Sequence, residues 1–293
     1  MQWQPNWGLR GRMVLTMFLL FVLYIVFIAI LASAGVGLIG IVIVMGLFSL
    51  AQLFFSDKLA LRSMGAKAVE ENEYPELHRS VSRLAQQADL PKPTVAVADT
   101  SIPNAFATGR SKSNATVCVT TGIMQTLEQD ELEGVIAHEL AHIKNRDVVV
   151  MTIASFLSTI AFMIVRWGWL FGGGRNRRGG GGQIFVAIAV SLVVWIISYL
   201  LIRALSRYRE YAADRGGAII TGRPASLASA LAKIDSRMDR VPKEDLRSQS
   251  EMNAFFIVPI SMGVIAKLFS THPKTEKRID RLRDLEREME TGF

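Results

Sequence analysis

Four stretches of this chain carry no charged side chain over at least 18 consecutive positions: residues 13–34, 36–56, 148–165 and 184–202. A helix rising about 1.5 Å per residue crosses roughly 30 Å of hydrocarbon in about 20 residues, so each window is long enough to span a bilayer. The chain is 293 residues long and half hydrophobic, with mean hydropathy +0.29, and the excess apolar content sits in these blocks. That pattern excludes a disordered chain and a fibrous repeat, and predicts an integral membrane protein carrying a modest globular part.

The windows come in pairs. Only Gly35 separates the first two, which predicts a tight hairpin over 1–56. A cleavable leader does not fit, because its apolar core would be roughly 7–15 residues and a second span follows at once. The other pair, within 148–202, is joined by the basic glycine-rich stretch 172–182. These two windows are shorter, so a helical hairpin buried in the globular part is the alternative to a second membrane hairpin. Between and after the pairs lie 57–147 and 203–293, the predicted halves of one globular domain.

The net charge of +7 follows the same division. Residues 57–147 hold 10 basic and 13 acidic side chains, whereas 1–56 and 148–202 hold two and four basic ones and no acidic ones. Surplus charge at the flanks of apolar runs fits contact with anionic lipid, and gives no basic face for nucleic acid. The lysine and arginine bias places both termini and both globular segments in the cytoplasm, although Arg166, Arg175, Arg177 and Arg178 dissent. A single cysteine, Cys118, excludes an internal disulfide, and its apolar surroundings read as core, not as a nucleophile's setting.

Periodicity predicts helices over 75–90, 127–146, 207–221, 224–238 and 274–289, and short strands over 94–98, 104–108 and 116–121. Thr126 is the expected N-cap of the second helix, and Ile279, Leu282 and Met289 the inward face of the last. The run 253–269 is apolar but short, with Pro259 inside it. The expected fold is therefore mostly α with a small β-sheet, bearing four transmembrane helices.

Two of the four histidines lie in His138-Glu139-Leu140-Ala141-His142, inside a predicted helix. Spaced i and i+4, both imidazoles leave one face about 5–6 Å apart at Cβ, so one tetrahedral zinc ion can bridge them. Glu139, one step round the helix, is badly placed to ligate but well placed to accept a proton from water at the metal. The apolar neighbours Val135, Ile136, Leu140 and Ile143 argue against two idle surface histidines. A catalytic site needs a third ligand, and Glu210 is the candidate, with Asp214 one turn on to hold the second ring N–H of a ligand histidine. The alternative for both acids is pairing with Arg207, Arg209 or Arg215. Two crossings between His142 and Glu210 return the chain to the side it left.

Taken together, Pro103-Asn104-Ala105-Phe106-Ala107-Thr108-Gly109, His138-Glu139-Leu140-Ala141-His142, Arg209-Glu210-Tyr211-Ala212-Ala213-Asp214 and Thr271-His272-Pro273, set around two apolar hairpins, resemble the HtpX-type heat-shock membrane peptidases. These share a family with the CAAX prenyl endopeptidases. The resemblance runs nearly end to end. It implies a gluzincin-like domain holding one zinc ion per chain on His138, His142 and Glu210, with Glu139 as general base and Asp214 behind a ligand. It also implies endoproteolysis of misfolded membrane proteins at the cytoplasmic face of a prokaryotic cell membrane. The resemblance further makes His272 a candidate donor to the oxyanion, a role open equally to Tyr208 and Tyr211. Asn104, Ala105 and Phe106 lie on a short alternating run that can bind a peptide by strand addition, or can be core with Phe106 buried. His78 falls on the polar side of its helix and is expected to be ordinary. Two rival classes are a non-catalytic zinc scaffold, which would need no Glu139, and a small transporter, whose windows would need polar groups they lack.

Overall fold

A computed structural model of the chain describes residues 7–33, 38–172, 181–238, 240–241, 257 and 273–291. The chain divides into two compact units, one of Trp7–Phe54 with Val149–Ser206, the other chiefly of Phe55–Val148 with Arg207–Phe293. Each unit thus takes its residues from separate stretches of the sequence.

The first unit is helical. It holds α1 (Trp7–Ser33), most of α2 (Leu38–Ser63), most of α6 (Asp147–Gly172) and the N-terminal part of α7 (Gly181–Thr221). Leu20, Tyr24, Phe27 and Leu31 of α1 pack against Ala154, Ala161, Ala187, Val194 and Leu205. Alanines at the contact let helices approach closely, and two of the polar groups inside are paired. The Tyr24 hydroxyl donates to the Ala154 carbonyl at 2.8 Å, and Ser198 donates to Ser158 at 2.8 Å. The outward faces carry Phe18, Phe21, Ile25 and Phe185, at 58%, 62%, 52% and 74% exposure. A water-facing helix would not expose a row of such residues, whereas lipid solvates them. Among the described residues two helices are long and apolar enough to cross a membrane, Trp7–Ser33 and Phe185–Thr221, and a third span results if the bent pair Asp147–Phe156 and Ser158–Arg166 counts as one. The structure thus supports two spans, or up to three, where the sequence predicts four. Residues 38–56 of the window 36–56 fall within α2, and the predicted turn at Gly35, residues 36–37 and the predicted linker residues 173–180 lie outside the described residues.

The second unit combines helices with a four-stranded sheet of order β1-β2-β4-β3. Its strands are β1 (Lys67–Ala68), β2 (Thr94–Ala98), β3 (Ala105–Thr108) and β4 (Thr116–Thr120). β2 and β4 run parallel, and β3 lies antiparallel to β4 with Phe106 opposite Cys118. Valines and alanines dominate these strands because they are buried on both faces. Cys118 is wholly buried, and loss of water pushes its thiol up to about 12, so it is core as expected. The two-residue β1 is too short to leave a sequence signal.

Among the described residues, the helices of this unit include α3 (Pro75–Gln87), α4 (Thr121–Thr126), α5 (Gln129–Asn145), the end of α7, α8 (Pro224–Met238) and α9 (Thr275–Thr291). The single helix predicted over 127–146 is preceded by the separate one-and-a-half-turn α4, which Thr120 caps by accepting from the Ile123 N–H. Thr126 is not a cap. It ends α4, and Glu128 caps α5 through a reciprocal capping box with Glu131. Glu131 also accepts from Ser229 and Lys233 of α8, tying α5 to its neighbour. The helix predicted over 207–221 is continuous with the preceding apolar run, because nothing between Ile202 and Arg207 breaks α7. His78 is buried, not on a polar surface, and its Nε2 faces the Val69 carbonyl at 3.0 Å.

Candidate active site

α5 presents the two histidines as their spacing requires. The Nε2 atoms of His138 and His142 are 3.1 Å apart, and the rings meet edge to face. Glu210 comes from α7, with its carboxylate oxygens 3.7 Å from His138 Nε2 and 3.6 Å from His142 Nε2. One donor atom from each of the three residues lies within 4.8 Å of the others. His138 and Glu210 are buried, and His142 is partly open.

The opposite ring nitrogens are both engaged by carboxylates. Asp214 lies 3.0 Å from His138 Nδ1, and Asp147 lies 2.5 Å from His142 Nδ1. A carboxylate on Nδ1 draws the ring proton there, which leaves each Nε2 as a lone pair aimed at its partner and at Glu210. Such a cluster repels itself unless a positive charge sits at its centre. In the metal-free chain a proton serves: burial disfavours a charged His138, but Asp214 and Glu210 outweigh it and push the imidazole up to about 9. A divalent cation meets the same need more completely, and two imidazoles with one carboxylate are the donor set that zinc accepts. The residues present therefore fit a zinc ion.

Two further charged residues fix this arrangement. Asp147 follows α5 directly and is held in turn by the Arg209 Nε at 3.0 Å, so His142 is oriented by a pair reaching from α6 to α7. Arg278, on α9 and 1% exposed, donates through Nε and an Nη to both oxygens of Asp214, at 2.9 and 2.7 Å. Its guanidinium also stands 3.5 Å from His138 Nε2 and 3.6 Å from a Glu210 oxygen. Sequence reasoning missed both residues. The signal for Arg278 was present, since 278, 282 and 285 form the buried stripe of α9 and a lone arginine occupies its first position. Asp147 had no comparable signal beyond its place five residues after His142. Two of the three arginines weighed as partners for Glu210 and Asp214 point elsewhere: Arg209 to Asp147, and Arg215 to Glu288 at 3.9 Å.

Glu139, one position further round α5, reaches the sheet while staying within electrostatic range of His138, His142 and Glu210. It is 5% exposed and accepts the backbone N–H of Ala107 at 2.8 Å. Burial raises its carboxyl above the usual range, with Glu210 adding to the rise and His138 and His142 opposing it. Among the described strands β3 lies at the edge of the sheet, and the Ala107 N–H on its side away from β4 reaches this carboxylate. Asn104 and Phe106 are buried at 0% and 2% exposure, and Ala105 is equally enclosed. The Asn104 side chain is not open to the outside, because its Oδ1 accepts the Ile257 N–H at 3.1 Å. Tyr211 stacks beneath the Arg281 guanidinium, 3.9 Å from the ring centre. His272 lies outside the described residues.

Known proteins share this chain's sequence and fold. Residues 71–286 match Peptidase family M48. Protease HtpX homolog 2 of Methanosarcina mazei is 56% identical over 292 residues, covering 98% of this chain and 99% of the relative. Protease HtpX homolog of Moorella thermoacetica is 56% identical over 288 residues, covering 97% and 96%. The crystal structure of S. mikatae Ste24p superimposes with a TM-score of 0.55 at 18% identity, over 92% of this chain and 63% of that one, which is a likeness of fold. The matched span encloses every described donor and carboxylate of the site, and on these similarities the chain belongs to peptidase family M48 and is an HtpX-type membrane-associated protease.

Proposed function

We propose that this protease is a zinc-dependent endopeptidase with one zinc ion per chain held by His138, His142 and Glu210, and Glu139 as its general base. The observation that carries the reading is the convergence of two imidazole Nε2 atoms and one carboxylate on a point, each ring fixed by its own aspartate. When bound there, zinc supplies Lewis-acid polarisation of a carbonyl and lowers the pKa of water. The chain's own residues do the rest. Asp214 and Asp147 keep the two imidazoles in the ligating tautomer. Glu139, anchored by the Ala107 N–H, takes a proton from the attacking water and returns it to the leaving amine. Its raised carboxyl brings it closer to neutrality, where such a shuttle works best.

The outer main-chain edge of β3, not its side chains, receives the peptide. Asn104, Ala105 and Phe106 thereby contribute as strand and scaffold, and affinity comes from backbone hydrogen bonds that any sequence can make. Donation to the oxyanion falls to His272 or to Tyr208 or Tyr211. Four spans in two hairpins hold the enzyme in the cell membrane of a prokaryote, with the protease unit facing the cytoplasm, where misfolded membrane proteins and other loosened polypeptides are its substrates.

The ligand assignment is tested by metal content. Detergent-purified wild-type chain is expected to hold one zinc, and Glu210→Ala to lose it on dialysis. Full retention by Glu210→Ala would remove Glu210 from the set.

A further inference from the structure

Away from the histidines, toward the other end of α5, the helices of the protease unit leave a groove of about 410 Å³. It opens where α4 ends and the chain turns through Leu127 into α5, beside the first turns of α3. The floor is apolar: Leu77 of α3, Leu127 and Leu132 of α5 reach it from the core, and Met124 lines it half-buried. Glu73 and Glu76, both exposed, complete the lining.

The charge at this groove is uncompensated. The Glu73 carboxylate accepts the Glu70 N–H at 2.9 Å, but neither Glu73 nor Glu76 has a cationic partner among the described residues. The neighbouring Glu133, by contrast, is paired with Arg83 and accepts from Ser80. The helix dipole favours an acid at Glu76, in the first turn of α3, but it does not explain an apolar floor beside that acid. Residues 57–147 are also net acidic, 10 basic against 13 acidic, in a chain of net charge +7. A concave apolar surface with unpaired carboxylates beside it complements an aliphatic side chain followed by lysine or arginine. The methylenes of the cation lie on the floor and its charge meets the acids. Polypeptide of that kind occurs at the cytoplasmic ends of membrane spans, where apolar runs give way to Lys and Arg.

We propose that this groove is an exosite for the cytoplasmic juxtamembrane segment of a membrane-protein substrate, an aliphatic run passing into lysine or arginine. Leu132 lies six positions from His138 and ten from His142, which is about 9–15 Å of helix. An extended peptide covers that distance in about three to five residues. The groove therefore sets where a chain is cut relative to its span, while the edge of β3 binds main chain of any sequence. This deepens the endopeptidase reading, and rests on it in taking the bound segment for a substrate.

The test is peptide binding to the full-length, zinc-loaded Glu139→Gln chain in a zwitterionic detergent, read by fluorescence anisotropy. The probe is a labelled peptide with a leucine-rich half followed by lysines. The controls replace the lysines by glutamates or the leucines by serines. Both controls are expected to bind at least about fivefold more weakly than the lysine peptide. The glutamate peptide keeps the same apolar half, so partition into detergent is common to both. Glu73→Lys combined with Glu76→Lys, two exposed positions, is expected to weaken the lysine peptide by about five- to tenfold and to tighten the glutamate peptide. Equal binding of the lysine and glutamate peptides, or lysine-peptide binding unmoved by the charge reversal, would overturn the proposal. If the charge reversal instead dissociates a dimer of the chain, measured by light scattering, the groove belongs to a second copy and the proposal falls. Casein cleavage by the wild-type chain is measured separately. Peptide binding at the groove with no cleavage would remove the endopeptidase reading and the substrate role of the groove with it. Cleavage without groove-dependent peptide binding would remove the exosite alone.

Discussion

His138 carries the clearest electrostatic signature in the molecule. Its Nδ1 is 3.0 Å from Asp214, its Nε2 faces Glu210, and despite full burial its imidazole is pushed up to about 9. A metal must therefore displace a proton to bind at neutral pH. Below about 9 the free imidazole is mainly protonated, so zinc affinity should fall about tenfold for each pH unit of acidification, and zinc binding at pH 7 should release close to one proton from this residue. Calorimetry in two buffers of different ionisation enthalpy reads that release directly. No proton released, and no fall in affinity between pH 8 and 6, would contradict the assignment of His138 as a ligand. At this scale the sequence was informative where one residue type admits few roles, as with two histidines at i and i+4. It was silent where charge is hidden by context. Nothing local tells that Arg278 is buried among the donors while Arg281 and Arg283, on the same helix, face outward.

Three helices bring the site together, and their contacts depend on small residues. Gly217 of α7 faces α5 so closely that a Cβ there would lie 2.8 Å from the His138 nitrogen and 3.0 Å from its Cα. Gly134 of α5 meets Leu227 of α8 in the same way, with the nearest backbone atom at 3.1 Å. Because Gly217 packs against the backbone of a proposed ligand and lies two turns from Glu210 on its own helix, any shift there moves one donor relative to another. Gly217→Ala should therefore destabilise by about 1–3 kcal/mol through overpacking, and weaken zinc retention in a chelator titration. Gly222→Ala, in open space but at φ +69, is the comparison: it strains a turn without touching the site. Equal zinc retention by wild type and Gly217→Ala would show that the crossing tolerates movement. Element types were legible from period and capping signals, and α8 and β2 fall on the predicted 224–238 and 94–98. Boundaries failed where two helices abut, since the break between α4 and α5 depends on the Glu128–Glu131 capping box and not on any change of hydropathy.

At the scale of the whole molecule, the chain interleaves two units, so an apolar insert separates the proposed ligands on α5 from the one on α7. The solvent of each unit is written into its composition: exposed phenylalanine and isoleucine in one, mixed charge in the other. Which helices cross fully is less legible, since a window of 18 or 19 residues satisfies both a short span and a buried helix. The proposed topology has a direct check. A cysteine placed at Glu290, on the exposed end of α9, should react with a membrane-impermeant maleimide in inside-out vesicles and not in intact cells, and one at Asn176 should show the reverse. Labelling of both from the same side would contradict a spanning second hairpin. The central claim is that a carboxylate beside a zinc centre moves the proton in peptide hydrolysis. It is tested most directly by measuring casein cleavage and zinc content together in wild type and Glu139→Gln. The account predicts one zinc in both and a loss of turnover of at least about 10²–10⁴-fold in the variant. Cleavage by Glu139→Gln at the wild-type rate would contradict it.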